Sequence, residues 1–224
     1  GYNPDFVLRV KADKIVTGKL SRILPIIYGQ PKPRSLPSKN DLVREAIHAS
    51  GFFVPILAGF IGVPLVALMI CVVSALYGIS ELARMNRRNL PIISAITRNA
   101  TSHSERYEFA AAPLYFALGI LLTLVFFPAP VNGAAIAMFT LGDSTASLFG
   151  GLISKKPLQF NKGKTVEGSL AGFFFAFLAG SFFISPVLAL IGAAVAMAIE
   201  SLPLPVNDNI LIPLCTGLAL LLIV

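Results

Sequence analysis

The 224-residue chain has no tryptophan, two cysteines, two histidines and only 13% charged residues. Each scarcity excludes something. Cys71 and Cys215 both fall in apolar runs, so they are read as packing residues and not as a disulfide or a metal pair. With so few Cys and His, and no clustering of them, a zinc centre is not expected. A soluble domain carries about 25% charge. This chain has 13%, with 55% hydrophobic residues and a mean hydropathy of +0.78, and so reads as an integral membrane protein. Its apolar runs are continuous and do not alternate, which argues against a β-barrel. Acids are scarcest in the second half. After Glu108 the only charges are Asp143, Lys155, Lys156, Lys162, Lys164, Glu167, Glu200 and Asp208.

Apolar runs lie near 52–79, 109–127, 131–152, 168–184, 186–199 and 210–224, and most approach the ~17–25 residues that a membrane helix needs. The expected fold is an all-α, polytopic transmembrane bundle of six or seven helices. Basic segments orient it. The 81–108 stretch carries five arginines and the 153–165 loop four lysines, so both are expected on the cytoplasmic side. Pro128-Ala129-Pro130 and Ser185-Pro186 then make short uncharged outer turns. Residues 1–48, with nine Lys/Arg against four acids, should also lie inside. That requires 52–79 to be a hairpin of two helices, about 49–61 and 65–80, turning at Gly62-Val63-Pro64; one kinked span is the alternative.

Residues 1–40 carry five prolines and are expected to be a cytoplasmic or interfacial arm, with an integral membrane domain over 41–224. The chain begins at Gly1, not Met, and ends inside an apolar run. A trimmed chain would look the same, so a missing signal peptide proves little.

The most informative segment is 142–172, GDSTASLFGGLISKKPLQFNKGKTVEGSLAG. Asp143 is a carboxylate inside an apolar run, and an ionisable group at that depth marks a site by default. Ser144, Thr145 and Ser147 surround it. Gly142, Gly150 and Gly151 are explained well enough by helix packing. The lysine loop follows. Gly163-Lys164-Thr165 resembles the end of a phosphate-binding P-loop, but the pattern needs glycine where Leu158 stands and a strand before it, so a P-loop is rejected. A plainer expectation survives: lysines, a flexible Gly163 and free backbone N–H groups at a helix starting near Thr165 suit a polyphosphate. Glu167 could accept from Lys164 or share a metal with Asp143. Arg44 and His48, four apart, share a helix face and can both donate to phosphate. Glu81 and Arg84 read as a local ion pair, and the 86–108 loop as a contact for anionic headgroups. Glu200 and Asp208 frame a polar patch in which Asn207, Asp208 or Asn209 could cap the last helix.

Over roughly residues 41–220 these elements resemble the dolichol kinase/phytol kinase family. They are Arg44…His48, Glu81…Arg84, Gly142-Asp143-Ser144-Thr145-Ala146-Ser147…Gly150, Lys164-Thr165-Val166-Glu167-Gly168-Ser169, and Glu200…Pro203…Asp208-Asn209…Pro213. Family members often have Arg-Lys where this chain has Arg44-Glu45, and an aromatic residue near Leu158. The resemblance implies a CTP-dependent kinase of a membrane isoprenoid alcohol, with Mg2+ or another divalent cation and with no nucleic-acid partner. It implies catalytic roles for Asp143, Lys164 and Glu167. Nucleotide contacts are implied for Arg44, His48, Ser144, Ser147, Lys162, Gly163, Thr165 and Gly168, and metal contacts for Asp143, Glu167, Glu200 and Asp208. The active site would face the cytoplasm. The KTVEG segment is also similar to the phosphatidate cytidylyltransferases, so CDP-lipid synthesis is an alternative. A CTP-using diacylglycerol kinase is another, and an ion-coupled transporter built on Asp143 is a third.

Overall fold

The structure is a computed structural model and describes residues 37–85, 109–153 and 156–223. Most of the expected arm over 1–40 and the expected headgroup-contacting loop over 86–108 lie outside these residues. The described chain is all-α: α1 (Lys39–Ser50), α2 (Phe53–Ile61), α3 (Val63–Met85), α4 (Ala112–Phe126), α5 (Val131–Ile153), α6 (Val166–Ser181), α7 (Pro186–Ser201) and α8 (Asp208–Leu221).

Three helices are long and apolar enough to cross a membrane: Lys39–Ile61, which runs through α1 and α2, then Val63–Met85 and Val131–Ile153. The other four apolar helices have 14–16 residues. At ~1.5 Å per residue they reach about 24 Å at most. The expected hairpin is present, and it breaks at Gly62, whose φ of 91° only glycine adopts without strain. Its first arm is longer than expected. Ser38 caps α1 and accepts from the Asp41 N–H, while the Asp41 carboxylate takes the Ser38 N–H. This capping box starts the helix at Lys39. Arg44 and His48 therefore lie within the helix and do not precede it.

Central helix α5 packs against α1, α2, α4, α6, α7 and α8. Every residue from Val131 to Thr140 is buried, so its first half is apolar and enclosed on all sides. Asn132 ties its start to the preceding turn by donating to the Phe127 carbonyl. The α5–α6 contact is made of small residues. Gly142, Ala146 and Gly150, spaced four apart, face Gly168, Gly172 and Ala176, again four apart. A Cβ on Gly168 would lie 2.6 Å from the Ala146 carbonyl oxygen, so the backbones touch there. This is the close approach that membrane helices use when no hydrophobic effect drives them together.

Large apolar side chains point outward instead. Leu68, Val73, Leu82, Leu170, Phe182 and Val187 are all exposed, while Ala134, Ala176, Ala189, Ala193 and Ala196 are fully buried. An exposed apolar surface this extensive is a liability in water and ordinary against acyl chains. At the far end of α3, Glu81 accepts from Arg84 and from the Ala110 N–H, and Tyr77 donates to the Ala110 carbonyl. The expected Glu81–Arg84 pair therefore also anchors the entry to α4.

Gly168→Ala forces two backbones apart and should destabilise the fold by about 1–3 kcal/mol. Gly78→Ala, where an added Cβ meets nothing within 4 Å, should leave the melting temperature unchanged or raise it. Thermal unfolding of the two variants in detergent checks the contrast.

Candidate active site

Beyond Thr140 the central helix is no longer enclosed, and a cleft of about 410 Å³ is cut into its second half. Four elements besides α5 deliver residues to it. α1 brings Arg44, Glu45, Ile47 and His48. The start of α4 brings Ala112, Pro113 and Phe116, α5 brings Asp143 and Ser147, and the loop before α6 brings Lys164. The start of α8 brings Asn207, Asp208 and Asn209.

Lys164 is the hub. Its Nζ donates to Glu200 Oε1 at 2.5 Å and stands 3.8 Å from Asp143 Oδ1 and 3.7 Å from Asp208 Oδ2. Local structure holds it there. Leu158 N–H donates to the Lys164 carbonyl, Val166 N–H to the Lys156 carbonyl, and Pro157 bridges Thr165, which pinches the loop shut. Asn161 Nδ2 pins the loop to the Ser201 carbonyl at the end of α7. Burial alone would lower the lysine's pKa. The carboxylates of Asp143, Glu200 and Asp208 more than offset this and hold the ammonium above the ordinary lysine value.

Around this hub the expected residues separate into groups. Asp143, Lys164, Asp208, Arg44, His48 and Ser147 line the cleft together. Glu200 is buried beneath Lys164. Asn207 caps α8 by accepting from the Asn209 N–H, which leaves Asp208 to face the lysine.

The KTVEG segment supplies more scaffold than its expected ligand contacts. Thr165 caps α6 by accepting from the Gly168 N–H, and Gly168 packs on Ala146. The Gly168 N–H, like that of Val166, is therefore used by the chain. Gly163 sits in the pinched loop with its N–H on Asn161 Oδ1, and Lys162 is exposed. Ser144 points its hydroxyl at the Thr140 carbonyl inside α5. Glu167 accepts from the Lys156 N–H at 3.4 Å and does not line the cleft.

Glu45 is the site residue not anticipated from sequence. It is 4% exposed, and its Oε1 accepts from Arg44 Nη2 at 2.9 Å and from Ser147 Oγ at 2.8 Å. It fastens α1 to α5 and fixes the guanidinium at the cleft. The only local signal was its i, i+3 spacing to His48, which puts the two on one helix face.

Asp143 and Asp208 offer hard oxygen donors. Both stand beyond hydrogen-bond length from Lys164 and both line the cleft. That suits Mg2+, which takes one or two carboxylates together with substrate phosphates. Among the described residues there is no group of three or more His, Cys, Asp or Glu placed to hold a metal unaided.

The fold and cleft define an all-α membrane protein with an ion-paired centre, one lysine among three carboxylates, bounded on one side by apolar residues. No family model matches the chain and no solved structure matches it. Among curated proteins it is 28% identical over 149 residues to a probable chloroplastic phytol kinase of Triticum aestivum, covering 58% of this chain and 49% of that protein. It is 28% identical over 146 residues to phytol kinase 1 of Arabidopsis thaliana, covering 56% and 48%. It is also 28% identical over 140 residues to a farnesol kinase of Arabidopsis thaliana, covering 54% and 46%. The chain spans about half the length of the curated relatives it matches. These relatives support the polyprenol/phytol kinase family, the family that the motifs resemble.

Lys164→Met keeps the aliphatic stem and removes the charge that three acids share, so it should cost up to about 3 kcal/mol of stability. The lysine's folded pKa is raised, so its contribution is fully present below the ordinary value of 10.5 and is lost as pH rises through the higher folded value. Melting temperatures of wild type and variant should differ most below pH 10.5 and converge above it.

Proposed function

We propose that the protein is a membrane kinase that transfers the terminal phosphoryl group of CTP to the hydroxyl of an isoprenoid alcohol of the phytol, farnesol, geranylgeraniol or dolichol type. The observation that carries this reading is the two-sided cleft. Lys164 and Arg44, with the carboxylates of Asp143, Glu200, Asp208 and Glu45, form a charged wall that a divalent cation on Asp143 and Asp208 would turn toward phosphate, and Ile47, Ala112, Pro113 and Phe116 supply an apolar wall beside it. A substrate pair of polyphosphate and lipid alcohol needs both. The choice of CTP over other nucleotides rests on the motif resemblance, and the alcohol class rests also on the names of the relatives.

Phosphoryl transfer is mostly positioning and electrostatic stabilisation. Lys164 would neutralise phosphate oxygens. Asp143 and Asp208, each nearly 4 Å from its ammonium, would yield to an incoming phosphate, while Glu200 keeps the lysine aimed. Arg44, steadied by Glu45, would bind a second phosphate edge. Asp143 would either receive the hydroxyl proton or, with Asp208, hold Mg2+. When bound, that ion would offset charge on the transferring group. By the tendency of basic loops to stay inside, the cleft would open toward the cytoplasmic side.

Protein in lipid or detergent, incubated with Mg2+, labelled CTP or ATP and a panel of prenols, should form CDP and the alcohol monophosphate. Release of pyrophosphate in place of CDP, or no product across the panel, overturns the reading. Asp143→Asn should lower kcat/KM by at least about 100-fold, the scale of a lost proton acceptor or charge stabiliser.

A further inference from the structure

His48 stands at the seam between the charged and apolar walls. Its Nδ1 is 3.6 Å from Asp143 Oδ2, and its ring lies edge-on to Phe116 at 4.4 Å and to Phe139 at 4.9 Å. Its Nε2 is buried and has no hydrogen-bond partner. A buried ring nitrogen left in that state is costly, so native structures rarely keep one without a partner or a ligand.

The neighbouring charges do not supply that partner. On its own helix, Arg44 and Glu45 are bonded to each other, and Glu45 also takes Ser147. Asp143 on α5 faces the other ring nitrogen, and Lys164 is directed at the carboxylates. A phosphate would be drawn to Arg44 and Lys164, because a site walled by phenyl rings solvates an anion poorly. A neutral hydroxyl on a hydrocarbon chain meets both demands of the seam, since it can donate one hydrogen bond and bury carbon beside it.

We propose that His48 and Phe116 form the acceptor-alcohol subsite. The substrate hydroxyl donates to His48 Nε2, its first carbons lie on Phe116 and Pro113, and its tail leaves past Ile47, which is 44% exposed. The assignment rests on the kinase reading and goes beyond it by separating the two substrates. The nucleotide belongs to Arg44 and Lys164, and the alcohol to His48 and Phe116. His48 is then a binding residue for the alcohol and not a phosphate ligand.

The test is steady-state kinetics with a twenty-carbon prenol and CTP, together with equilibrium CTP binding in the absence of alcohol. His48→Phe should raise the alcohol KM about tenfold, the scale of one lost hydrogen bond in a buried site. CTP affinity should stay within about twofold of wild type. His48→Gln, whose amide oxygen can accept from the hydroxyl, should recover most of the loss. A wild-type protein that makes no alcohol phosphate refutes the kinase reading and the subsite with it. With wild type active, an unchanged alcohol KM in His48→Phe, or a weakened CTP affinity in its place, overturns the subsite alone. If His48→Phe loses its melting transition, His48→Gln decides. A CTP affinity within twofold with a modestly raised alcohol KM supports the subsite, and the reverse pattern sinks it.

Discussion

The structure depends on one shared cation. Asp143, Glu200 and Asp208 come from three helices and would repel one another in a confined, poorly solvated space. Among the described residues, the Lys164 ammonium is the only charge drawn by all three. An isolated ionised group at such a place would cost more than most folds can spare. The geometry therefore couples the middle of α5, the end of α7, the start of α8 and the loop before α6. Moving any of them leaves an acid without its counter-charge. The arrangement is also asymmetric. Glu200 is in full contact with the lysine, whereas Asp143 and Asp208 are held at a distance that an incoming anion or cation could exploit.

That hub needs a rigid frame, and the frame is built from absence of side chain. The stripes of glycine and alanine on α5 and α6 let the backbones touch, which fixes the register that brings Lys164 back beside Asp143. A lysine side chain spans only ~6 Å, so a slip of one helical turn, ~5.4 Å, would take the ammonium out of reach. The pinched loop and the Asn161–Ser201 bond set the direction of that reach. Packing and electrostatics are thus one device here, with small residues setting the spacing that the charges require.

Much of this was legible in the sequence, for reasons that differ by element. Asp143 stood out because charge is rare in apolar runs, and Lys164 because it lies in a lysine-rich loop just before a helix. Gly62-Val63-Pro64 announced a hairpin because the basic segments on either side had to lie on one face. Asn207 read as a candidate cap, and Thr165 as the start of a helix, from their place before apolar runs. Glu45 did not stand out, because it sits in a mixed-charge stretch where a surface role is the ordinary outcome, and its partner Ser147 is 102 residues away. Thr165, Gly168 and Ser144 carry the motif and also have structural roles, as a helix cap, a helix–helix contact and a hydroxyl bonded within α5. A motif records that residue types are required at a spacing and is silent on whether they touch the ligand or hold the residue that does.

The same distinction bears on why the chemistry would sit inside a helix bundle at all. A long-chain alcohol cannot leave the bilayer without exposing its tail, and a nucleotide cannot enter the bilayer without shedding its hydration. A cleft that penetrates only the second half of α5 reconciles the two. The first half of α5, Val131 to Thr140, is enclosed by its neighbours, and the cleft lies beyond it. Its mouth carries Arg44 and Asp208, both partly exposed, and its inner end places His48 against two phenyl rings. The charged and phenyl-lined walls meet at Asp143 and His48, so a charged substrate would be held on one wall and an apolar one on the other. The two reacting ends would then meet beside Asp143, where water is scarce and where the electrostatic effect of each fixed charge is largest.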